Sequence, residues 1–168
     1  DKSKTIVTHD AGNTRDQITP FYETTEPYSY IGWGKSTTLG SSLGFAMGAK
    51  VAYPEKLSVG LCGDAGFGMV GMDFETAVRE NIPVLMIVAN NSVMGTYSKH
   101  HPIATEKYNL NKMSGDYAKV AESLGGYAEN VTQPDEIIPA LERAKKAVEY
   151  GQAALLNFVT KEESEFSK

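Results

Sequence analysis

Two residues of this 168-residue sequence, Asp64 and Asn91, combine chemical type and setting in a way that could do chemistry. Asp64 follows the run Leu57-Ser58-Val59-Gly60-Leu61-Cys62-Gly63, and Asn91 follows Val84-Leu85-Met86-Ile87-Val88-Ala89. Both side chains are therefore expected to emerge at the carboxyl ends of strands. If the two strands pair, a carboxylate and an amide oxygen become neighbours. With a backbone carbonyl, water and two phosphate oxygens they complete an octahedral all-oxygen shell, which suits Mg²⁺ held largely by the diphosphate of a substrate or cofactor. Taken singly, Asp64 reads as a helix cap and Asn90-Asn91 as a turn.

The elements that must position these residues can be read from periodicity. Apolar or β-branched runs at Thr5 to Thr8, Ser29 to Ile31, Leu57 to Cys62, Val84 to Ala89 and Ala153 to Val159 read as strands, most of them apolar on both faces, as in a parallel sheet covered on both sides. Helical stretches lie between them. One carries Tyr117, Val120, Ala121 and Leu124 on one face and stops at Gly125-Gly126; another carries Ile137, Leu141, Ala144 and Val148 behind Pro134-Asp135-Glu136. The alternation predicts an α/β domain: a three-layer, doubly wound, mainly parallel sheet. Ligands of such sheets bind beyond the strands' carboxyl ends, here the turns Asp10 to Thr14, Gly32 to Lys35, Gly63 to Gly66 and Asn90 to Ser92.

A formal net charge of -5, with 41% hydrophobic and 22% charged residues, is ordinary for one globular domain and offers no basic field for nucleic acid. The lone Cys62 sits in an apolar run and has no partner for an internal disulfide, so a reducing, cytoplasmic setting is expected. No run reaches the ~20 apolar residues of a membrane helix. Lys4 to Thr8 already reads as a strand at the start of the sequence, so residues 1–168 are expected to be a single domain cut from a longer chain.

Gly63-Asp64-Ala65, then residues 66–89, then Asn90-Asn91 resembles the signature of thiamine-diphosphate enzymes, Gly-Asp-Gly followed at similar spacing by Asn-Asn. Phe67-Gly68-Met69-Val70-Gly71-Met72-Asp73-Phe74-Glu75-Thr76 is similar to the matching stretch of oxalyl-CoA decarboxylases and 2-hydroxyacyl-CoA lyases. Thr8-His9-Asp10-Ala11-Gly12-Asn13 resembles the family's first strand and diphosphate-contacting turn. Leu39 to Ala49 resembles the segment whose large apolar residue props the thiazolium ring, and the pattern continues from Asp116-Tyr117 to the helix near Pro134. The likeness is to the C-terminal, diphosphate-binding (PP) domain of the acetolactate synthase, oxalyl-CoA decarboxylase and 2-hydroxyacyl-CoA lyase type.

That resemblance implies thiamine diphosphate and Mg²⁺ as cofactors, with Asp64 and Asn91 as side-chain ligands of the metal and Val93 as a carbonyl ligand. Amides at Ala65 and Gly66 would hold the diphosphate, Asn13 and Thr14 would reach the phosphates, Leu39 would prop the ring, and Thr37 and Met94 would complete the cofactor-binding set. Ala65 departs from the family's second glycine, and a methyl there requires a negative φ. The implied chemistry is decarboxylation or carbon–carbon bond formation or cleavage on a 2-keto acid or 2-hydroxyacyl-CoA, the cofactor acting as electron sink. The activating glutamate would come from a PYR domain of the same parent or a partner subunit, so no catalytic residue is expected here, the isolated chain would be inactive, and the parent would be a homodimer or tetramer. A complete β subunit of a two-chain 2-oxoacid decarboxylase or oxidoreductase is one alternative; a non-catalytic nucleotide-binding or assembly module is another.

Other residues read more plainly. Glu75 is expected to pair within its helix, His100 and His101 to be solvent-exposed, and Cys62 to be a buried apolar side chain. His9 and Lys35 lie beside cofactor turns; charge near a turn is usually solvated, and substrate contact is the other reading. Leu39 and the glycines at 40, 44 and 48 are expected in one Gly-rich helix, with the glycine face packed on another helix or a subunit.

Overall fold

The computed structural model describes residues 1–36, 38–95 and 97–162. Six strands form a single, all-parallel sheet: β1 (Thr5–His9), β2 (Tyr30–Ile31), β3 (Leu57–Gly63), β4 (Leu85–Asn90), β5 (Tyr127–Val131) and β6 (Ala154–Val159), in the order β2-β1-β3-β4-β6-β5. The helices are α1 (Asn13–Ile18), α2 (Ser42–Ala52), α3 (Asp64–Val70), α4 (Phe74–Arg79), α5 (Tyr97–His100), α6 (Pro102–Tyr108), α7 (Tyr117–Ser123) and α8 (Ile137–Glu149). The chain winds outward from β1 to β2 and then crosses back to place β3 on the other side of β1. The crevice beyond that reversal is where an open parallel sheet leaves room for a ligand.

The pleat sorts the core. On β4, Met86 and Val88 point into one cluster with Leu43, Cys62, Phe67, Phe74, Tyr117 and Leu155, which α2, α3, α4 and α7 cover. Leu85 points the other way, with Leu156 and the Ala140, Ala144 and Val148 stripe of α8. Burying each large aliphatic or aromatic side chain contributes roughly 1.5–3 kcal/mol, so this two-sided burial dominates the sheet's stability.

The structure corrects several expectations from the sequence. The strand Tyr127–Val131 is an additional one; Glu129 and Asn130 give it a polar character because it is the sheet's edge. The buried face of α8 is Ala140, Ala144 and Val148, whereas Ile137 at its first turn is 39% exposed. The second face is not evenly covered: Leu57, Val59 and Leu61 alternate as half-buried residues on β3. Leu39 and Gly40 precede α2 instead of lying in it, with Gly40 at φ +75°. Gly44 and Gly48 do lie in α2, and a β-carbon on either would meet nothing within 4 Å. Among the described residues no helix is long and apolar enough to cross a membrane.

Candidate functional site

Register explains how the two opening residues meet. Gly63 on β3 pairs with Ala89 on β4, so the chain leaves both strands at the same level, Asp64 starting α3 and Asn91 starting a loop. Asp64 is 3% exposed. Its Oδ1 accepts from the amide of Ala65 at 2.8 Å, while Oδ2 is buried with no hydrogen-bond partner. Burial pushes this carboxyl above the ordinary aspartate range, with the amides of Ala65, Ser92 and Val93 pulling it the other way. An unmet buried carboxylate oxygen is costly, and a cation is the partner that offsets the cost most fully.

The loop after β4 is built to be stiff. Asn90 Oδ1 accepts from the amide and hydroxyl of Ser92 at 3.0 and 3.2 Å, and Asn91 Oδ1 accepts from the amide of Val93 at 3.2 Å. Such side-chain turns let Ser92 adopt its left-handed φ of +59°. The segment around residue 112 clamps the loop from outside: Met94 donates to the carbonyl of Asn111 at 2.6 Å, Met113 donates to that of Ser92 at 2.9 Å, and Val93 bridges Lys112.

Asp64 and Asn91 open into a cavity of about 990 Å³. Asn13, Thr14, Leu39, Ala65, Gly66, Val93 and Met94 line it with them, so nine residues singled out from the sequence face one space. Thr37, the tenth, lies outside the described residues. Asn13 and Thr14 also start α1, so they begin a helix and face the cavity at once. Ala65 lies within α3 and is absent from the described non-glycine residues of positive φ, which are Tyr28, Asn81, Ser92 and Asn109. Its methyl group is therefore accommodated without backbone strain. Among the described residues no three His, Cys, Asp or Glu side chains converge, so a cation beside Asp64 would draw on neutral oxygens such as that of Asn91. The orphaned Oδ2, the Asn91 amide facing the same cavity and the size of the cavity fit a divalent cation carrying a diphosphate.

The structure adds cavity residues that sequence reasoning missed. Arg15 lines the space and is held by Asp16 Oδ1 and by the carbonyl of Gly34, the latter at 2.8 Å; Thr160 and Lys161 arrive from beyond β6, with Thr160 donating to the carbonyl of Asn90 at 2.8 Å. Arg15 comes with Asn13 and Thr14 on α1, whereas no local pattern announces Thr160 and Lys161, which the register of β6 on β4 brings there. His9 is a correction. It is 5% exposed, not solvated, with Nδ1 3.0 Å from the carbonyl of Asp10 and its ring against Tyr30, because it points inward from β1. The side chain of Lys35 lies outside the described set. His100 and His101 are exposed, and Glu75 pairs with Arg79 one turn on. Cys62 is buried, and burial drives its thiol far above the ordinary cysteine range.

Residues 10–158 match the family model described as thiamine pyrophosphate enzyme, C-terminal TPP binding domain. Among curated proteins the chain is 34% identical over 158 residues to a probable acetolactate synthase of Mycobacterium bovis, covering 92% of this chain and 28% of that protein. It is 34% identical over 149 residues to a 2-hydroxyacyl-CoA lyase of Oryza sativa subsp. japonica, covering 84% of this chain and 26% of that protein. The chain thus spans about a quarter of the length of these relatives. The thiamine diphosphate-dependent 4-hydroxybenzoylformate decarboxylase of Rhodococcus jostii RHA1 shares its fold with a TM-score of 0.81 at 23% identity, over 96% of this chain and 30% of that one.

Proposed function

We propose, from the premise that the chain belongs to the family of C-terminal TPP-binding domains of thiamine pyrophosphate enzymes, that its cavity holds thiamine diphosphate through Mg²⁺. The observation that carries this reading is the buried Oδ2 of Asp64, which lacks a partner where Asn91 also faces the cavity. Asp64 and Asn91 would ligate the metal through their side chains and Val93 through its carbonyl. The first-turn amides of Ala65 and Gly66 would hold the diphosphate, with Asn13 and Thr14 on its other side and Thr37 and Met94 beside the cofactor. Leu39 would support the bound ring.

When bound, thiamine diphosphate supplies the electron sink for breaking or making a bond next to a carbonyl. The residues of this chain bind and orient it: Asp64 fixes the cation, the stiff loop at residues 90–94 fixes the carbonyl ligand, and the apolar wall at Leu39 excludes water. The parent would be an acetolactate synthase-like lyase or transferase acting on a 2-keto acid or 2-hydroxyacyl-CoA in the cytoplasm. The names of the curated relatives support that class, and their greater length supports a parent with further domains. A glutamate-bearing PYR domain, in the same parent or across a homodimer or tetramer, would complete the catalyst and leave this chain inactive alone. The family match supports this reading over a nucleotide-binding or assembly module.

The test is the thermal midpoint of the protein with Mg²⁺ alone, thiamine diphosphate alone, and both. A ligand that binds only the folded state stabilises by about 2.7 kcal/mol at 100-fold excess over its Kd. The two together should raise the midpoint more than the sum of each alone, and Asp64→Ala should abolish the effect. An unchanged synergistic rise in that variant would sink the metal assignment.

A further inference from the structure

Asp10 is a fully buried carboxylate that stands behind the cavity wall. Its backbone amide donates to the carbonyl of Leu61 on β3 at 2.9 Å, so its position is fixed by the sheet. Its side chain reaches the turn that carries Leu39. Oδ2 accepts from the amide of Gly40 at 2.7 Å; Oδ1 accepts from the amides of Ser41 and Ser42 at 2.9 and 2.8 Å and from the Ser41 hydroxyl at 3.3 Å. The adjoining backbone adds one more tie, the amide of Ala11 to the carbonyl of Thr38 at 3.0 Å.

The same carboxylate also packs against α3, the adjoining wall. A β-carbon at Gly66 would lie 2.1 Å from Asp10 Oδ2, and one at Gly40 would lie 2.9 Å from Val70 Cγ1 and 3.5 Å from the carbonyl oxygen of Gly66. Turn and helix thus meet closely, with the Asp10 carboxylate hydrogen-bonded to the turn and packed against the helix at Gly66. Leu39 and Asp64 both line the cavity, one on each of these walls.

We infer that Asp10 is a positioning residue that sets the separation of Leu39 from Asp64, and so selects a ligand that spans both walls. It touches neither metal nor ligand and acts through the turn it holds. A cofactor with a diphosphate at Asp64 and a ring at Leu39 depends on that separation, whereas a ligand occupying only the Asp64 wall does not. The identity of the ligand rests on the cofactor reading above; the geometry of the two walls does not.

The variant Asp10→Asn keeps the shape but turns one acceptor oxygen into a donor facing backbone amides, which leaves at least one of them unmet. The experiment is titration calorimetry on the protein in its full natural length, in saturating Mg²⁺, with thiamine diphosphate and separately with inorganic diphosphate, which lacks the ring. Asp10→Asn should weaken thiamine diphosphate by about tenfold and leave inorganic diphosphate unchanged. Leu39→Ala should show the same selectivity, and the double variant should fall short of the product of the two single losses, since residues acting through one another are not additive. If Asp10→Asn does not fold, Ser41→Ala, which removes one bond and leaves the carboxylate in place, should weaken thiamine diphosphate selectively by about twofold. Equal weakening of both ligands, no weakening of either, or multiplying effects in the double variant overturns the inference. A wild-type protein that binds neither ligand overturns the cofactor reading and this inference with it.

Discussion

Gly126 lies against the ring of Phe74, so closely that a β-carbon on the glycine would sit 2.4 Å from the ring's Cε1 and 3.0 Å from the carbonyl of Ala153. Phe74 is fully buried and has no room to retreat. Gly126→Ala is expected to destabilise by about 1–3 kcal/mol, the cost of overpacking a filled core. The neighbouring Gly125→Ala is costly for a different reason, φ of +95° at the end of α7, about 1–2 kcal/mol. Urea denaturation of the two variants measures both; an unchanged Gly126→Ala midpoint would mean that the ring has space to move.

Asp64→Asn should separate stability from metal binding. Burial raises the folded-state pKa of Asp64, so its charged form burdens the metal-free fold at neutral pH, and that burden fades as pH falls through the raised value. The metal-free variant is expected to be more stable than the wild type by about 1 kcal/mol at pH 7, with the difference shrinking on acidification, and to lose its response to Mg²⁺. Thermal melts across a pH series read both; a variant less stable than wild type at pH 7 would contradict the account.

Asp116 behaves in the opposite sense. Its Oδ1 accepts from Asn130 Nδ2 at 2.8 Å and from the amide of Lys119 at 3.1 Å, capping α7, and its Oδ2 pairs with the Lys119 ammonium at 3.0 Å; Asn130 foremost, then the Lys119 ammonium and the amide, depress the carboxyl to about 2. A depressed acid stabilises fully above its unfolded value of 3.8 and loses that contribution as pH falls through about 2. Asp116→Ala should cost about 1 kcal/mol at pH 6, and the gap to wild type should narrow between pH 4 and pH 2. A gap independent of pH would assign the effect to packing.

Ala65→Gly restores the residue expected from the resembled signature, yet no gain in binding should follow. Ala65 is helical, so glycine there should lower stability by about 0.5–1 kcal/mol through backbone entropy. The Mg²⁺ concentration that half-saturates the protein should not change. Tighter binding in this variant would show that the methyl group obstructs the site.

The sequence made the site's centre legible because its signals were local. The apolar runs that end at Gly63 and Ala89 each announce a strand, and Asp64 and Asn91 stand just beyond the ends of those strands. What depended on distant register stayed hidden. Asp10 reads as part of an outward turn, but its carboxylate turns back to cap the segment before α2. His9 beside it also points inward. Tyr127–Val131 hid among its polar side chains because an edge strand needs only one protected side. Thr160 and Lys161 carry no motif and reach the cavity only through β6 lying beside β4.

The cavity gathers its lining from nearly the whole span of the chain, from Asn13 near one end through Leu39, Asp64 and Asn91 to Thr160 near the other. No short fragment contains it, and β1, β3, β4 and β6 must all be in place to arrange it. An occupant therefore has nothing to hold until the sheet has closed around β1, β3, β4 and β6 together, and its binding energy accrues only to the complete fold. In hydrogen exchange, saturation should slow the amides of all four strands by a common factor, deep ones and edge-adjacent ones alike, making the small molecule a reporter of global cooperativity instead of a local clamp on its loops.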